Sequence, residues 1–346
     1  MVRVKIDGRK VAVPKGTTIM EAAQSAGIDI PSLCYHKRLP PIGSCNLCIV
    51  EIKGQPEPVT SCNTPVKNGL EITTESETIH TQRVLNLKKI LEHHALDCPI
   101  CDKAGECDLQ NIVYRFGITE VPFRPREQKR DEGYATSLIR YWPERCIMCR
   151  RCVTACHSIK GIGAIDILGE GEEAKLLPVA PEKCKACGEC MFVCPTGALT
   201  ENLSRYKGRP WLGHRVKTTC PYCGCGCQLE LSVLDNRVIS ASATNVDDGV
   251  NQGSLCVKGR FGYEFIGDPD RLKTPLIKEN GRLREATWDE ALDLTAERLS
   301  AIRKEFGPDS IAGLSSARVT NEENYLFQKF IRAVIGTNNV DHCARL

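Results

Sequence analysis

Apolar and charged residues alternate through the opening stretch MVRVKIDGRKVAV, and the alternation reverses around Asp7-Gly8. A period of two on either side of Asp-Gly predicts a β-hairpin. Thr17 or Thr18 stands where a helix N-cap belongs, the helix runs through Ala26, and Gly27 supplies its stop. A loop follows, then the strand Ile49-Val50-Glu51-Ile52. From about residue 80 the period changes, placing Val84, Leu87, Ile90 and Leu91 on one face of a helix that ends near His93 and His94. Further on, Leu229 to Leu234 reads as a strand, and Asn280-Gly281 between Leu276-Ile277 and Leu283 predicts a second tight hairpin. Thr287 with Glu290 spells a capping box for a helix to about Glu305, and Thr320 with Glu323 caps another that stops before Gly336. Between them, Ile311 to Leu314 reads as a short buried strand.

Charge narrows the classes of function. A formal net charge of +3 over 346 residues is close to balance. The basic residues Arg124, Arg126, Lys129 and Arg130 are interleaved with Glu127, Asp131 and Glu132, the pattern of a solvated linker. No nucleic-acid module is visible. No run approaches the roughly 18 apolar residues of a membrane span. The N-terminus lacks a charged start followed by an apolar run, so the expected location is the reducing cytoplasm. There, 21 cysteines are better explained as thiolates held by metal than as disulfides.

Nineteen of those cysteines fall into five groups, and one histidine completes the sets. The doubled Cys-x2-Cys-x2-Cys-x3-Cys at 146–156 and 184–194 is the strongest of them. In two-cluster ferredoxins the fourth cysteine of such a run ligates the other cluster. Cys146, Cys149, Cys152 and Cys194 are therefore assigned to one [4Fe–4S], and Cys184, Cys187, Cys190 and Cys156 to the other. Pro195 fits the motif; His157 stands in its place in the first run. Paired zinc sites are the rival, but structural zinc prefers one Cys-x2-Cys per knuckle with a long gap. Arg150 and Arg151, inside the first motif, read as residues that tune a cluster.

The other three sets acquire meaning from resemblance. Cys34, Cys45, Cys48 and Cys62 have the spacing of the [2Fe–2S] domain of respiratory complex I, iron-only hydrogenases and NAD-linked formate dehydrogenases. The order of elements around them resembles β-grasp ferredoxins. His94, Cys98, Cys101 and Cys107 resemble the [4Fe–4S] of the same families with one imidazole ligand; His93 is the competing histidine, but only His94 has the family spacing. The stretch CPYCGCGCQLEL, followed by NQGSLCVKGRFGYEF, resembles the opening of molybdopterin oxidoreductases, in particular formate dehydrogenase catalytic subunits. That likeness implies a fourth [4Fe–4S] on Cys220, Cys223, Cys227 and Cys256. It also implies that Lys258 lies between this cluster and the pterin as an electron relay and cofactor contact. Cys225, off the ligand spacing, is expected to be a small buried residue, and with Cys343 it is one of two unligated thiols. Residues 321–346 resemble selenium-containing formate dehydrogenases, in which the metal-ligating selenocysteine, or in some members cysteine, comes next; Leu346 is thus expected to precede a UGA codon.

The expected fold is α+β and multidomain. Residues 1–79 form a β-grasp [2Fe–2S] ferredoxin-like domain, and 80–122 a [4Fe–4S] domain with one histidine and three cysteine ligands. After a linker at 123–137, residues 138–205 form a two-cluster bacterial ferredoxin-like domain. A second linker, 206–217, leads to a molybdopterin-oxidoreductase [4Fe–4S] domain at 218–274 and the start of an α/β molybdopterin domain at 275–346. The resemblance implies an enzyme that interconverts formate and CO2 at a molybdenum or tungsten bis-molybdopterin guanine dinucleotide centre. Its partners would be flavin- and NAD-binding, bifurcating or hydrogenase redox subunits, and the 346 residues alone would be inactive. The alternatives are an iron–sulfur subunit of a complex I-like or hydrogenase-like NADH-linked oxidoreductase, or a stand-alone electron-transfer adaptor.

Overall fold

The structure, a computed structural model, describes residues 1–121, 136–244 and 249–344; the charged run 124–132 and Leu346 lie outside the described residues. The chain forms two compact units, Met1–His214 and Arg215–Leu346. No described helix is long and apolar enough to cross a membrane.

In the first unit, β1 (Val2–Ile6) and β2 (Arg9–Val13) are the expected hairpin, with Asp7 and Gly8 both at positive φ (46° and 82°). Thr18 caps α1 (Ile19–Ser25) in a full capping box with Glu21, and Gly27 follows at φ 70°. β3 (Ile49–Ile52), β4 (Val59–Thr60) and β5 (Glu71–Thr73) complete a five-stranded sheet of order β2-β1-β5-β3-β4, in which β1 and β5 run parallel. Val4, Ile6, Ile19, Met20, Ala23, Cys48, Val50, Cys62 and Ile72 share its core, so two candidate ligands are part of the packing.

Helix α2 (Glu77–Glu92) buries Ile79, Arg83, Leu87 and Leu91, a row spaced by four, while Val84 and Ile90 are half-buried. The predicted face is thus rotated and includes an arginine. After α3 (Asp108–Arg115), the doubled motif occupies β6 (Ile139–Tyr141), α4 (Arg151–Thr154), the hairpin β7 (Ile165–Leu168) with β8 (Lys175–Pro178), α5 (Glu189–Phe192) and β9 (Leu199–Glu201). β6 pairs antiparallel with β9, closing the repeat end to end.

In the second unit, β10 (His214–Thr219), β11 (Gln228–Leu234) and β12 (Arg237–Ala243) form a three-stranded sheet, so the segment expected to be a linker ends inside a strand. The short α6 (Val257–Phe261) begins directly after Cys256. β13 (Leu276–Glu279) and β14 (Arg282–Glu285) are the Asn280-Gly281 hairpin. α7 (Trp288–Phe306) has only half of its expected capping box: Thr287 accepts from the Glu290 N–H, but the Glu290 carboxylate is taken by Arg284. β15 (Gly313–Ser315) pairs in parallel with β16 (Val340–His342), and between them α8 (Asn321–Lys329) keeps its whole capping box. The strand expected to be buried at 311–314 is not: Leu314 is 81% exposed, because β15 has one strand partner and nothing described covers that face.

Candidate iron–sulfur sites

The structure brings Cys34, Cys45, Cys48 and Cys62 together. Cys34 Sγ and Cys45 Sγ lie 3.3 Å apart, and the Leu33 N–H donates to Cys45 Sγ at 3.4 Å. Hydrogen bonding from Cys45, then from Cys62, holds the Cys34 thiol well below its ordinary range. Bonding to Cys62 lowers Cys48 to about 7. The loop is held from below by Arg83, which is fully buried. Its Nε donates to the Leu47 carbonyl (2.9 Å), and Nη2 to the carbonyls of Ile49 (2.8 Å) and Thr74 (3.0 Å). Leu47 and Ile49 flank Cys48, so α2 fixes the backbone on both sides of that thiol. Asn46, between Cys45 and Cys48, sits at φ 49°, a left-handed turn that asparagine tolerates better than most side chains do.

Cys98, Cys101 and Cys107 lie on a tight loop that begins just past α2. Burial raises the Cys101 thiol and pushes Cys107 up to about 11. Each of these also feels the charge of another cysteine of the set, Cys98 for Cys101 and Cys101 for Cys107. His94 follows the helix and is half-buried, whereas His93 is exposed. Cys107 Sγ donates to the Pro195 carbonyl at 3.6 Å, which sets this loop against the end of the doubled motif.

That motif encloses two apolar cavities. One is lined by Cys146, Cys149, Cys152 and Cys194, with Tyr141, Ile147, Leu176 and Leu199. The other is lined by Cys156, Cys184, Cys187 and Cys190, with Ile139, Ile162, Ile165 and Leu199. Each cavity thus holds three cysteines of one run and the last cysteine of the other. Burial, followed by the charge of Cys194, pushes Cys149 up to about 12; burial, followed by Cys187 and Cys156, does the same to Cys190. The repeat is also written in the backbone: Met148 and Arg150 (φ 52° and 62°) are matched by Ala186 and Gly188 (φ 47° and 70°). Successive left-handed turns of this kind direct N–H groups into a concave nest suited to an anion.

The fifth group is more open. The Cys220 N–H donates to the Cys227 carbonyl (2.8 Å), closing a loop whose members Cys223 and Cys225 are exposed. Asn251 accepts from the Gln228 N–H (2.8 Å) and donates to the Gln228 carbonyl (3.0 Å), which ties the segment leading to Cys256 back to the end of that loop. A Cβ on Gly259 would lie 3.4 Å from Cys220 Sγ, so α6 passes close to the thiol. Lys258, one residue earlier on α6, is exposed. Cys225, expected to be buried, is exposed instead, because it occupies the tip of a Gly-Cys-Gly turn, 3.6 Å from Cys227 Sγ. Cys343 is also exposed.

Iron–sulfur clusters suit these donors. Bunched thiolates in an apolar cradle are costly without compensating positive charge, and clusters of this kind take four such donors with N–H groups around them. Among the described residues no three His, Cys, Asp or Glu side chains converge as a single ion requires; the thiols in the doubled motif surround cavities instead.

Sequence reasoning missed the buried charges that brace these loops: Arg83, Arg145 and Glu189. Glu189 accepts from Arg38 Nη1 (2.5 Å) and pairs with Lys160 (3.4 Å), joining the loop after Cys34 to the second half of the repeat. Arg83 had a legible signal, since it completes the row Ile79, Leu87, Leu91 at a spacing of four; Glu189 had none.

The class is therefore a multicentre electron-transfer protein. The chain belongs to the molybdopterin oxidoreductase family and also carries one iron–sulfur binding region of the NADH-ubiquinone oxidoreductase-G type. Residues 1–77 match the 2Fe-2S iron–sulfur cluster binding domain, 83–122 the NADH-ubiquinone oxidoreductase-G iron–sulfur binding region, and 145–198 the 4Fe-4S dicluster domain. Residues 214–268 match the molybdopterin oxidoreductase Fe4S4 domain and 271–346 the molybdopterin oxidoreductase domain. The whole chain is 43% identical to the NADPH-Fe(3+) oxidoreductase subunit alpha of Geobacter sulfurreducens and 39% identical to an NADH-quinone oxidoreductase subunit of Rhizobium meliloti. Over 99% of its length it is 32% identical to a Staphylococcus aureus protein named provisionally as a formate dehydrogenase. The chain spans about 40% of the length of these relatives. A chain in the crystal structure of an NAD+-reducing [NiFe]-hydrogenase matches with a TM-score of 0.56 and 31% identity, over 60% of this chain and 91% of that one.

Proposed function

We propose that this chain is the iron–sulfur part of a formate dehydrogenase catalytic subunit, holding one [2Fe–2S] and four [4Fe–4S] clusters on the five ligand sets assigned above. The observation that carries the wire is the crossed lining of the two cavities, each completed by the last cysteine of the other run. Bound there, the clusters supply one-electron transfer between a molybdenum or tungsten bis-pterin centre and an NAD- or flavin-linked partner. The chain's own residues do the rest. Arg83 holds the loop around Cys48, the left-handed turns present N–H groups to the cradles, and the walls of the two cavities set the thiols against apolar side chains. Lys258, which follows Cys256 on α6, is the candidate relay cation on the pterin side. The likeness of residues 321–346 to selenium-containing formate dehydrogenases supports the formate reading.

The higher identity to the NADPH-Fe(3+) oxidoreductase subunit favours a second reading, in which the same wire serves an NAD(P)H-linked complex without formate chemistry. One experiment separates the two. Full-length protein made anaerobically with molybdate or tungstate should reduce viologen dye with formate. Reduction with NAD(P)H through its partner subunit, and none with formate, would overturn the formate reading and leave the wire in place.

A further inference from the structure

Two buried arginines grip the His94–Cys107 segment from opposite ends. Arg145, 2% exposed and immediately before Cys146, places Nε 3.0 Å and Nη2 2.6 Å from the carboxylate of Asp97, the residue before Cys98. Its guanidinium stacks 4.4 Å from the Trp142 ring centre, and its carbonyl accepts from Thr196 Oγ1 at 2.9 Å. Arg151, 6% exposed and immediately before Cys152, donates from Nη1 to Asp108 Oδ2 at 3.1 Å; Asp108 is the residue after Cys107. The same side chain donates to the carbonyls of Val193 (3.4 Å) and Tyr35 (2.5 Å), the residues beside Cys194 and Cys34.

Between the two grips the segments are in close contact. The Asp108 N–H donates to the Pro195 carbonyl (3.0 Å), and a Cβ on Gly197 would lie 2.3 Å from Cys101 Sγ. Each arginine also keeps one buried N–H group, Nη1 of Arg145 and Nε of Arg151, without a hydrogen-bond partner among the described residues. Buried guanidinium groups are expected to have their donors satisfied, and here the uncommitted ones belong to side chains beside the ligand sets: the Cβ position on Gly197 that meets Cys101 Sγ also lies 3.6 Å from Arg145 Cδ, and Arg151 directly precedes Cys152.

We propose that Arg145 and Arg151 form a clamp that seats the His94 set against the Cys146 set and raises the reduction potentials of the clusters on both. This rests on the iron–sulfur reading of those two sets. Reduction adds negative charge to a cluster, and a fixed cation close by in a poorly polarisable surrounding stabilises that form over the oxidised one. A guanidinium serves because it remains charged and offers several donors in a rigid fork.

The test is an EPR-monitored redox titration of full-length protein assembled anaerobically, with iron and sulfide counted. In Arg145→Gln and Arg151→Gln the reduced-to-oxidised ratio of both clusters at a fixed potential should fall tenfold or more, about 59 mV for a one-electron couple. Arg→Lys at either position should restore most of the shift, which a merely structural role would not do. Because a glutamine variant can fail to load, Asp108→Asn provides a second arm. Asp108 has a half-exposed side chain, and its loss leaves every thiol and both arginines in place, so the potentials should rise. Unshifted potentials with both signals present would overturn the clamp alone. Absence of a cubane signal from the His94 set in the parent protein would overturn the iron–sulfur reading beneath it.

Discussion

The cysteines of the doubled motif and those of the Cys220 loop are both spaced for a four-iron cluster, yet the protein treats them differently. Around the doubled motif the thiols face apolar walls, and buried ion pairs fasten the loops to one another. Around Cys220 the loop lies at the surface of its unit, with Cys223 and Cys256 exposed. The contrast extends to the surrounding structure. Leu87 and Leu91 anchor α2 in a core that also contains Cys107, whereas α7 and α8 have no buried residue at all. In the first unit ligand loops and core are one construction. In the second the loop rests on a three-stranded sheet, and the long helices carry exposed Trp288, Leu292, Phe306 and Leu326.

The contrast can be broken most decisively by separating the units. Met1–His214 made alone under anaerobic, iron-replete conditions should load its four clusters and unfold cooperatively. Arg215–Leu346 made alone should bind a hydrophobic dye strongly and aggregate, as chains with large exposed apolar patches do. Cooperative melting of the second piece by calorimetry would remove the distinction. Next in size, His94→Ala should eliminate one cubane signal in EPR while His93→Ala keeps all five clusters; the reverse result would shift the ligand by one residue. Leu87→Ala should cost about 2–5 kcal/mol in denaturant unfolding. The same change at Leu292, 59% exposed on α7, should stay within about 0.5 kcal/mol. Equal losses at both would show that α7 is packed as tightly as α2.

The smallest effect concerns the surface pair Arg284–Glu290. Hydrogen bonding from Arg284 holds the Glu290 carboxyl below the ordinary carboxylate range. A depressed carboxyl contributes stability above its unfolded pKa and loses it as pH falls through the folded value. Arg284→Gln should therefore move the NMR titration of Glu290 upward and leave a barely flatter acid limb in the melting curve. No movement of that titration would show the pair to be inert.

What could be read from the residues alone was what local chemistry decides. Asp7-Gly8 and Asn280-Gly281 made their turns because two successive positive φ values favour such pairs. Thr18 and Thr320 capped their helices because the partner glutamate stands three residues on. Where a third group competed, the local rule gave way, as when Arg284 drew Glu290 from the N-terminus of α7. The candidate sites divide along the same line. Spacing within a motif is local and was legible, but the burial of Arg83, Arg145 and Glu189 depends on chain segments tens of residues away. Cys225 misled because a small residue in a dense motif looks like filling, although it stands exposed between Gly224 and Gly226.

The exchange of Cys156 and Cys194 between the two cavities makes the doubled motif indivisible. A duplicated segment normally leaves two copies, either of which can drift or be discarded while the other carries on. Here each copy depends on the other for its last corner, as in a clasp whose hooks lie on opposite halves. Deleting either half would disarm both cradles, and damage to one cysteine would reach across the repeat. Selection on such a pair acts on the two halves as a single unit, however far their other residues diverge.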